Sequence, residues 1–231
     1  MKNVFLTCWF NNKKDPQRNL VQPADFEKIR LMVKSSNTCG VKVILFHDCF
    51  NNKTIKKYES DLLKFIRPNQ NIRDTPFSTN DFRFLVYLDY LKSNQIDNVF
   101  MLDASDIIVK NNPFNNIEEN KIYTGCEAWT IAKKPRISNK VKGTFGKVYY
   151  GNKLILNAGI LGGNKKLLLP LLEEMKKVFD KKKHMHNINM PVFNKCIRDL
   201  FSDEQIITKD PVCSNWKKYE NHRKDVWFIH K

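Results

Sequence analysis

Two carboxylates stand where a buried strand must end. Val99, Phe100, Met101 and Leu102 run straight into Asp103-Ala104-Ser105-Asp106, and Ile107, Ile108 and Val109 follow. A bare charge between two buried segments is costly, so each aspartate must be paired or bind something. In parallel sheets, ligands sit beyond the carboxyl ends of the strands. Oxygen donors there suit a hard divalent cation, Mn²⁺ or Mg²⁺, and such a cation would bridge the phosphates of a nucleotide. The plainer reading is a turn whose aspartates cap nearby N–H groups.

The elements around this motif alternate. Residues 3–10 read as a buried strand, 25–36 as a helix with Phe26, Ile29, Met32 and Val33 at helical spacing, and 41–46 as a strand ended by His47-Asp48. A short helix over 51–60 and a strand over 62–66 follow, then a helix from the Ser78-Thr79-Asn80-Asp81 caps to about Ser93. The strand 99–102 carries the aspartates. This rhythm predicts an α/β fold, a mostly parallel central sheet flanked by helices. Beyond residue 107 it loosens into short strands at 107–109, 121–125 and 154–156, helices over 165–181 and 187–201, and strand-like pieces at 205–208 and 226–229. The stretch 133–152, with Pro135, Gly143, Gly146 and Gly151, reads as a mobile loop. No repeat or linker divides the chain, so one domain over 1–231 is expected.

The motif and its surroundings resemble the GT-A glycosyltransferases, Rossmann-like enzymes that bind a nucleotide sugar through a divalent metal. Their hallmark is a hydrophobic strand ending in two aspartates. Asp103-Ala104-Ser105-Asp106 is similar to the longer form found in the collagen hydroxylysine glucosyltransferases. Leu156-Asn157-Ala158-Gly159 resembles the segment that cradles the donor sugar. Trp227-Phe228-Ile229-His230-Lys231 resembles the C-terminal strand whose histidine is the third metal ligand, and the helix holding Asn80 and Arg83 resembles the donor-side helix. The resemblance covers about residues 3–231 and rests on the order and spacing of these motifs. It implies a metal held by Asp103, Asp106 and His230. It implies a donor, a UDP-sugar by preference, contacted by Thr7, Asp48, Asn80, Arg83, Asp103, Ala104, Ser105, Asn157, Ala158, Gly159 and Lys231. Glu127 and Asp106 become the catalytic carboxylates.

Most positions also have a plainer reading. His230 follows three apolar residues, as a core histidine would, and Lys231 ends the chain. Arg83, Tyr87 and Tyr90 share a helix face, which either lines the donor pocket or faces solvent. Thr7 and Asp48 lie at the strand ends where the resembled fold holds base and ribose, or they cap local turns. Arg18 pairs with phosphate or acceptor. Glu127 bonds sugar hydroxyls or acts as a base, and Trp129 stacks on a sugar face or packs in the core. In one respect the chain departs from the resembled enzymes: Asn187 and Asn189 stand where those have aspartates. The asparagines bond hydroxyls but are neither base nor nucleophile. The aspartate spacing tilts the resemblance toward retention of configuration. His184 and His186 read as exposed loop residues.

The 40 Lys+Arg against 24 Asp+Glu give a formal net charge of +16, which suits a polyanionic partner. Coding bias toward Lys and Asn accounts for the same excess. Lys133, Lys134, Arg136, Lys140, Lys142, Lys147 and Lys153 occur with no acid among them, between Glu127 and Asn157. An anionic acceptor is therefore expected, a glycan, a membrane surface or DNA with a hydroxylated base, unless the stretch is a solvated lid that orders over the donor diphosphate. The 42% hydrophobic content excludes wholesale disorder. No long apolar run suggests a transmembrane helix or a signal peptide, so a cytoplasmic protein is expected. Six cysteines show neither C-x-x-C pairs nor zinc spacing and read as reduced structural residues. Two rival functions remain. A sugar-1-phosphate nucleotidyltransferase needs a glycine-rich loop after the first strand, and residues 8–18 hold no glycine. A non-catalytic nucleic-acid-binding module fits the charge, but the aspartates repel phosphate unless a metal intervenes.

Overall fold

The computed structural model describes residues 2–214 and 217–230. β1 (Asn3–Trp9) leads to a small hairpin of β2 (Lys14–Asp15) and β3 (Leu20–Val21). Then come α1 (Arg30–Thr38), β4 (Lys42–His47), α2 (Asn52–Tyr58), β5 (Leu63–Ile66), α3 (Thr79–Ser93) and β6 (Asn98–Leu102). The second half holds β7 (Ile107–Val109), β8 (Ile122–Thr130), α4 (Pro135–Phe145) and β9 (Leu154–Asn164). It continues with α5 (Lys165–Lys181), α6 (Asn189–Leu200), β10 (Ile206–Ile207) and β11 (Phe228–His230). A seven-stranded sheet in the order β10-β8-β9-β6-β1-β4-β5 forms the centre. Neighbouring strands are parallel except where β9 pairs with β6 and β8. The fold is thus the α/β arrangement that the sequence rhythm predicts.

Helices on both faces explain the unbroken apolar runs, because a parallel strand is buried on both sides. Along β1, Val4 and Leu6 join one core cluster with α3, α5 and α6, while Phe5 joins another with α1 and β11. Ser78 caps α3: its Oγ accepts from the Asp81 N–H. The helix is apolar nearly all round because it lies between sheet and helix α5.

Several stretches differ from expectation, among them the strand expected at 121–125, which runs on to Thr130 as β8. The short strand at 154–156 is the start of the eleven-residue β9, so Asn157, Ala158 and Gly159 lie inside a strand rather than beyond one. Glycine at 162 lets β9 pass over Phe100, its partner in the ladder, whose ring a Cβ would penetrate. The stretch 133–152 is not a loop throughout: it contains the helix α4. Pro135 opens that helix, and Gly146 closes it at φ 82° with its N–H donating to the Lys142 carbonyl. Proline at a helix start and glycine past its end are helix punctuation as much as loop punctuation. Val141 of α4 packs with Ile131 and Ile155 in a small third cluster. All six cysteines are free thiols. Among the described residues no helix is long and apolar enough to cross a membrane.

Candidate active site

The residues after β1 and β6 open on one cleft. Two cavities, of about 110 and 340 Å³, share Gln17, Asn80, Arg83, Asp103 and Asp106. Trp9, Phe10, Ala104 and Ser105 line the smaller one, together with hairpin residues Asp15 and Arg18. The larger extends to Glu127, Asn157, Gly159, Asn189 and His230.

Asp103 sits at the centre. Its backbone N–H donates to the Gly159 carbonyl at 2.9 Å, which fixes β6 against β9 at this point. Arg83 donates from Nη1 to Asp103 Oδ1 and from Nη2 to the Ala158 carbonyl, the latter at 3.2 Å. Asp103 Oδ2 lies 3.8 Å from His230 Nε2. Burial alone would raise the Asp103 pKa, but the Arg83 guanidinium, His230 and Arg18 together hold it below the ordinary aspartate value. His230 arrives on β11, whose antiparallel pairing with β7 sets it opposite Ile107. It is buried, as a core histidine would be, and also lines the larger cavity.

Strand alternation divides the Asn157-Ala158-Gly159 segment. Asn157 and Gly159 line the cleft, whereas the Ala158 side chain joins the core and offers only its carbonyl to Arg83. Asn157 Nδ2 donates to Glu127 Oε1 at 3.0 Å, and its Oδ1 accepts from the Gly159 N–H at 2.8 Å. A Cβ on Gly159 would stand 2.5 Å from Asp103 Oδ2, 2.8 Å from His230 Cε1 and 3.0 Å from Asn157 Oδ1.

Asp106 is more open. Its Oδ1 accepts from the Ser105 hydroxyl at 3.2 Å, and Arg18 Nη2 stands 3.8 Å from Oδ2. Among the described residues no three His, Cys, Asp or Glu side chains converge closely enough to hold a metal. Asp103, Asp106 and His230 nevertheless share one cavity, and the space beside Asp103 and His230 is one that a side chain at 159 would fill. Two carboxylates and an imidazole fit Mn²⁺ or Mg²⁺ in donor type. In this arrangement Arg83 and Arg18 face the two carboxylates instead.

Other expected residues lie apart. Thr7 is fully buried and donates to the Leu102 carbonyl at 2.8 Å, so it ties β1 to β6 rather than reaching the cleft. Asp48 accepts from the Asn11 and Asn12 N–H groups at 2.8 and 3.1 Å, so it caps no local turn and instead ties the end of β4 to the chain that follows β1. It borders a separate cavity with Arg67 and Asn71. Tyr87 is buried against Phe46 and Phe84, and Tyr90 borders a hollow lined by Ile66 and Val86. Trp129 is 52% exposed, which removes the core reading. His184 and His186 are exposed. Lys231 lies outside the described residues. Asn80 donates to Asn187 Oδ1 at 3.2 Å. Asp81, read from the sequence only as a helix cap, is buried and accepts from the Asn187 and Asn189 N–H groups at 2.8 and 2.7 Å. It thereby joins α3 to the start of α6. Gln17, in both cavities, carried no sequence signal beyond its place in a polar turn.

No protein-family model matches the chain, and no curated protein sequence does. Solved structures do match. The galactosyltransferase LgtC, whose crystal structure holds donor and acceptor sugar analogues, aligns with 98% of this chain and 86% of its own at a TM-score of 0.56 and 12% identity. At that identity the likeness speaks to the fold alone, and together with the sheet described above it establishes that the chain has the Rossmann-like GT-A fold.

Proposed function

We propose that this protein is a glycosyltransferase that moves a sugar from a nucleoside diphosphate sugar, by preference a UDP-sugar, to an acceptor hydroxyl. The observation that carries the reading is the cleft itself. Asp103, Asp106, Asn157, Gly159 and His230 come from three separate stretches of chain and line one cavity beyond the carboxyl end of β6, the kind of place where α/β folds hold nucleotides. The smaller cavity, with Trp9, Phe10, Arg18 and Arg83, suits the nucleoside diphosphate, and the larger suits the sugar and acceptor. Asp103, Asp106 and His230 would hold Mn²⁺ or Mg²⁺. When bound, that ion would supply Lewis-acid stabilisation of the leaving diphosphate.

The chain's own residues have the following work. Arg83 keeps Asp103 ionised and oriented. Asn157 aligns Glu127 by the bond between their side chains. In transfer, the anomeric carbon–phosphate oxygen bond breaks and a bond to the acceptor oxygen forms. With retention, the acceptor proton passes to the leaving diphosphate; with inversion, Glu127 accepts it. The resemblance favours retention. The test is a panel of nucleotide sugars incubated with the protein and Mn²⁺, followed by release of nucleoside diphosphate. Hydrolysis of one donor above the rest supports the reading. No release from any donor, with or without candidate acceptor sugars, sinks it.

A further inference from the structure

The first turn of α4 is built against its own helix dipole. The positive end of a helix favours acidic residues and disfavours cations. Yet α4 begins Lys134-Pro135-Arg136, has no acidic residue in its first turn and no side-chain cap on its N–H groups. No carboxylate among the described residues pairs with Lys134 or Arg136. The start of α6 contrasts with this, because Asp81 already accepts from its N–H groups. Both α4 cations line the larger cavity, beside Glu127. Lys140, one turn on, has its pKa lowered by burial and then by the Arg136 charge, with Asp81 opposing them in part.

A second observation is independent of charge. Asn189 is 3% exposed, lines the same cavity, and its Oδ1 has no hydrogen-bond partner. A buried acceptor left unpaired is costly, and native structures seldom leave one. Its natural partner is a donor such as a hydroxyl. A bare anion would satisfy the cations but not Asn189, and a neutral sugar would do the reverse.

We propose that the acceptor is a sugar or polyol bearing a phosphate or carboxylate. Its anion lodges at the first turn of α4 between Lys134 and Arg136, and one of its hydroxyls donates to Asn189. The proposal rests on reading the cleft as a glycosyl-transfer site. Exposed Trp129, with Lys134 Nζ 5.9 Å from its ring centroid, extends the site outward as a face for a sugar ring.

The test is calorimetric titration of the full chain, without nucleotide, using glucose, glucose 6-phosphate, glucuronate and inorganic phosphate at low and high salt. The proposal expects glucose 6-phosphate or glucuronate to bind roughly tenfold tighter than either glucose or phosphate alone. It expects that preference to weaken with salt and to vanish in the double variant Lys134→Gln/Arg136→Gln. Thermal unfolding of the variant should be unchanged or slightly higher, since two cations leave the positive end of a helix. Asn189→Ala should lower the affinity for the phosphorylated sugar towards that of phosphate alone. Lys134→Gln alone gives the same reading should the double variant not fold. Three outcomes overturn the proposal: equal binding of glucose and glucose 6-phosphate, phosphate binding as tightly as its sugar ester, or salt-sensitive binding of duplex DNA with no preference among sugars. A separate titration with UDP and Mn²⁺ tests the glycosyl-transfer reading itself, so failure of one is distinguishable from failure of the other.

Discussion

Gly159 and Asp103 face each other so closely that only hydrogen fits between them. A Cβ on residue 159 would stand 2.5 Å from the Asp103 carboxylate, although the two backbones are joined by a 2.9 Å hydrogen bond. The glycine is therefore a condition of where that carboxylate lies. Gly159→Ala must displace the side chain of Asp103, of His230 or both. A displacement near 1 Å at a reacting centre costs about a hundredfold in rate. Donor hydrolysis should fall by about that factor, with the thermal midpoint lowered by only a few degrees. Near-normal turnover in this variant would remove Asp103 from the chemistry.

The pair Arg83–Asp103 should show in stability as well. Their side chains are 13% and 25% exposed, so removing one partner leaves a mostly buried charge behind. Arg83→Ala should cost about 3 kcal/mol in urea unfolding, the low end for breaking a buried pair because Asp103 keeps some contact with solvent. The double variant Arg83→Ala/Asp103→Ala should lose less than the sum of the singles, by about 1 kcal/mol. Strict additivity would mean that the two groups do not depend on each other. Arg83→Lys should rescue little, because one ammonium cannot bond both the carboxylate and the Ala158 carbonyl.

Much of this was legible in the sequence, for physical reasons that also mark where legibility ended. Strand β6 and the aspartates after it announce themselves because a buried strand tolerates no internal charge, so the first Asp marks its end. The Ser78-Thr79-Asn80-Asp81 caps and the apolar run after them marked α3, and Ser78 is the residue that caps it. Helix α4 was hidden because its signals, Pro135 and Gly146, are also loop signals, and only Val141 and Thr144 of its residues are buried. Thr7 shows the opposite limit. A threonine near a strand end has the right chemistry for a ligand, but whether its hydroxyl turns to the cleft or to the neighbouring strand depends on register, which one sequence does not reveal. The pairing of Asp81 with the start of α6 spans more than a hundred residues and had no local signature.

His47 gives a pH prediction away from the cleft. Burial, and then the Arg67 charge, lower its pKa from 6.5 to about 4. The folded protein thus holds His47 neutral where the unfolded chain would protonate it. Its contribution is fully present above pH 6.5 and is lost as the pH falls towards about 4, a window worth up to about 3 kcal/mol. Unfolding free energy should decline between pH 7 and 5, and His47→Gln should flatten that decline. An equal slope in the variant would assign the acid sensitivity to other groups.

The last prediction concerns how the cleft changes charge when it is loaded. Asp103 and Asp106 face Arg83 and Arg18, and Arg18 sits on the β2–β3 hairpin, 53% exposed. A divalent cation at the two aspartates would compete with these guanidinium groups, and a diphosphate would attract them. Nucleotide and cation should therefore bind cooperatively, with Arg18 moving from Asp106 to phosphate. UDP titrated with Mn²⁺ should bind at least about tenfold tighter than in EDTA, a coupling of about 1.4 kcal/mol. Asp106→Asn removes the carboxylate charge while nearly preserving shape, so it should abolish the Mn²⁺ enhancement and leave the metal-free affinity little changed. Arg18→Gln should do the reverse in part, easing Mn²⁺ binding to the empty cleft while weakening UDP in its presence. Trp9 lines the same cavity and its indole N–H donates to Pro23 O at 2.8 Å, just beyond the hairpin. Its fluorescence offers a readout of hairpin movement that does not depend on turnover. Equal UDP affinity with Mn²⁺ and with EDTA would sink the metal assignment for Asp103, Asp106 and His230, whatever the activity of the variants.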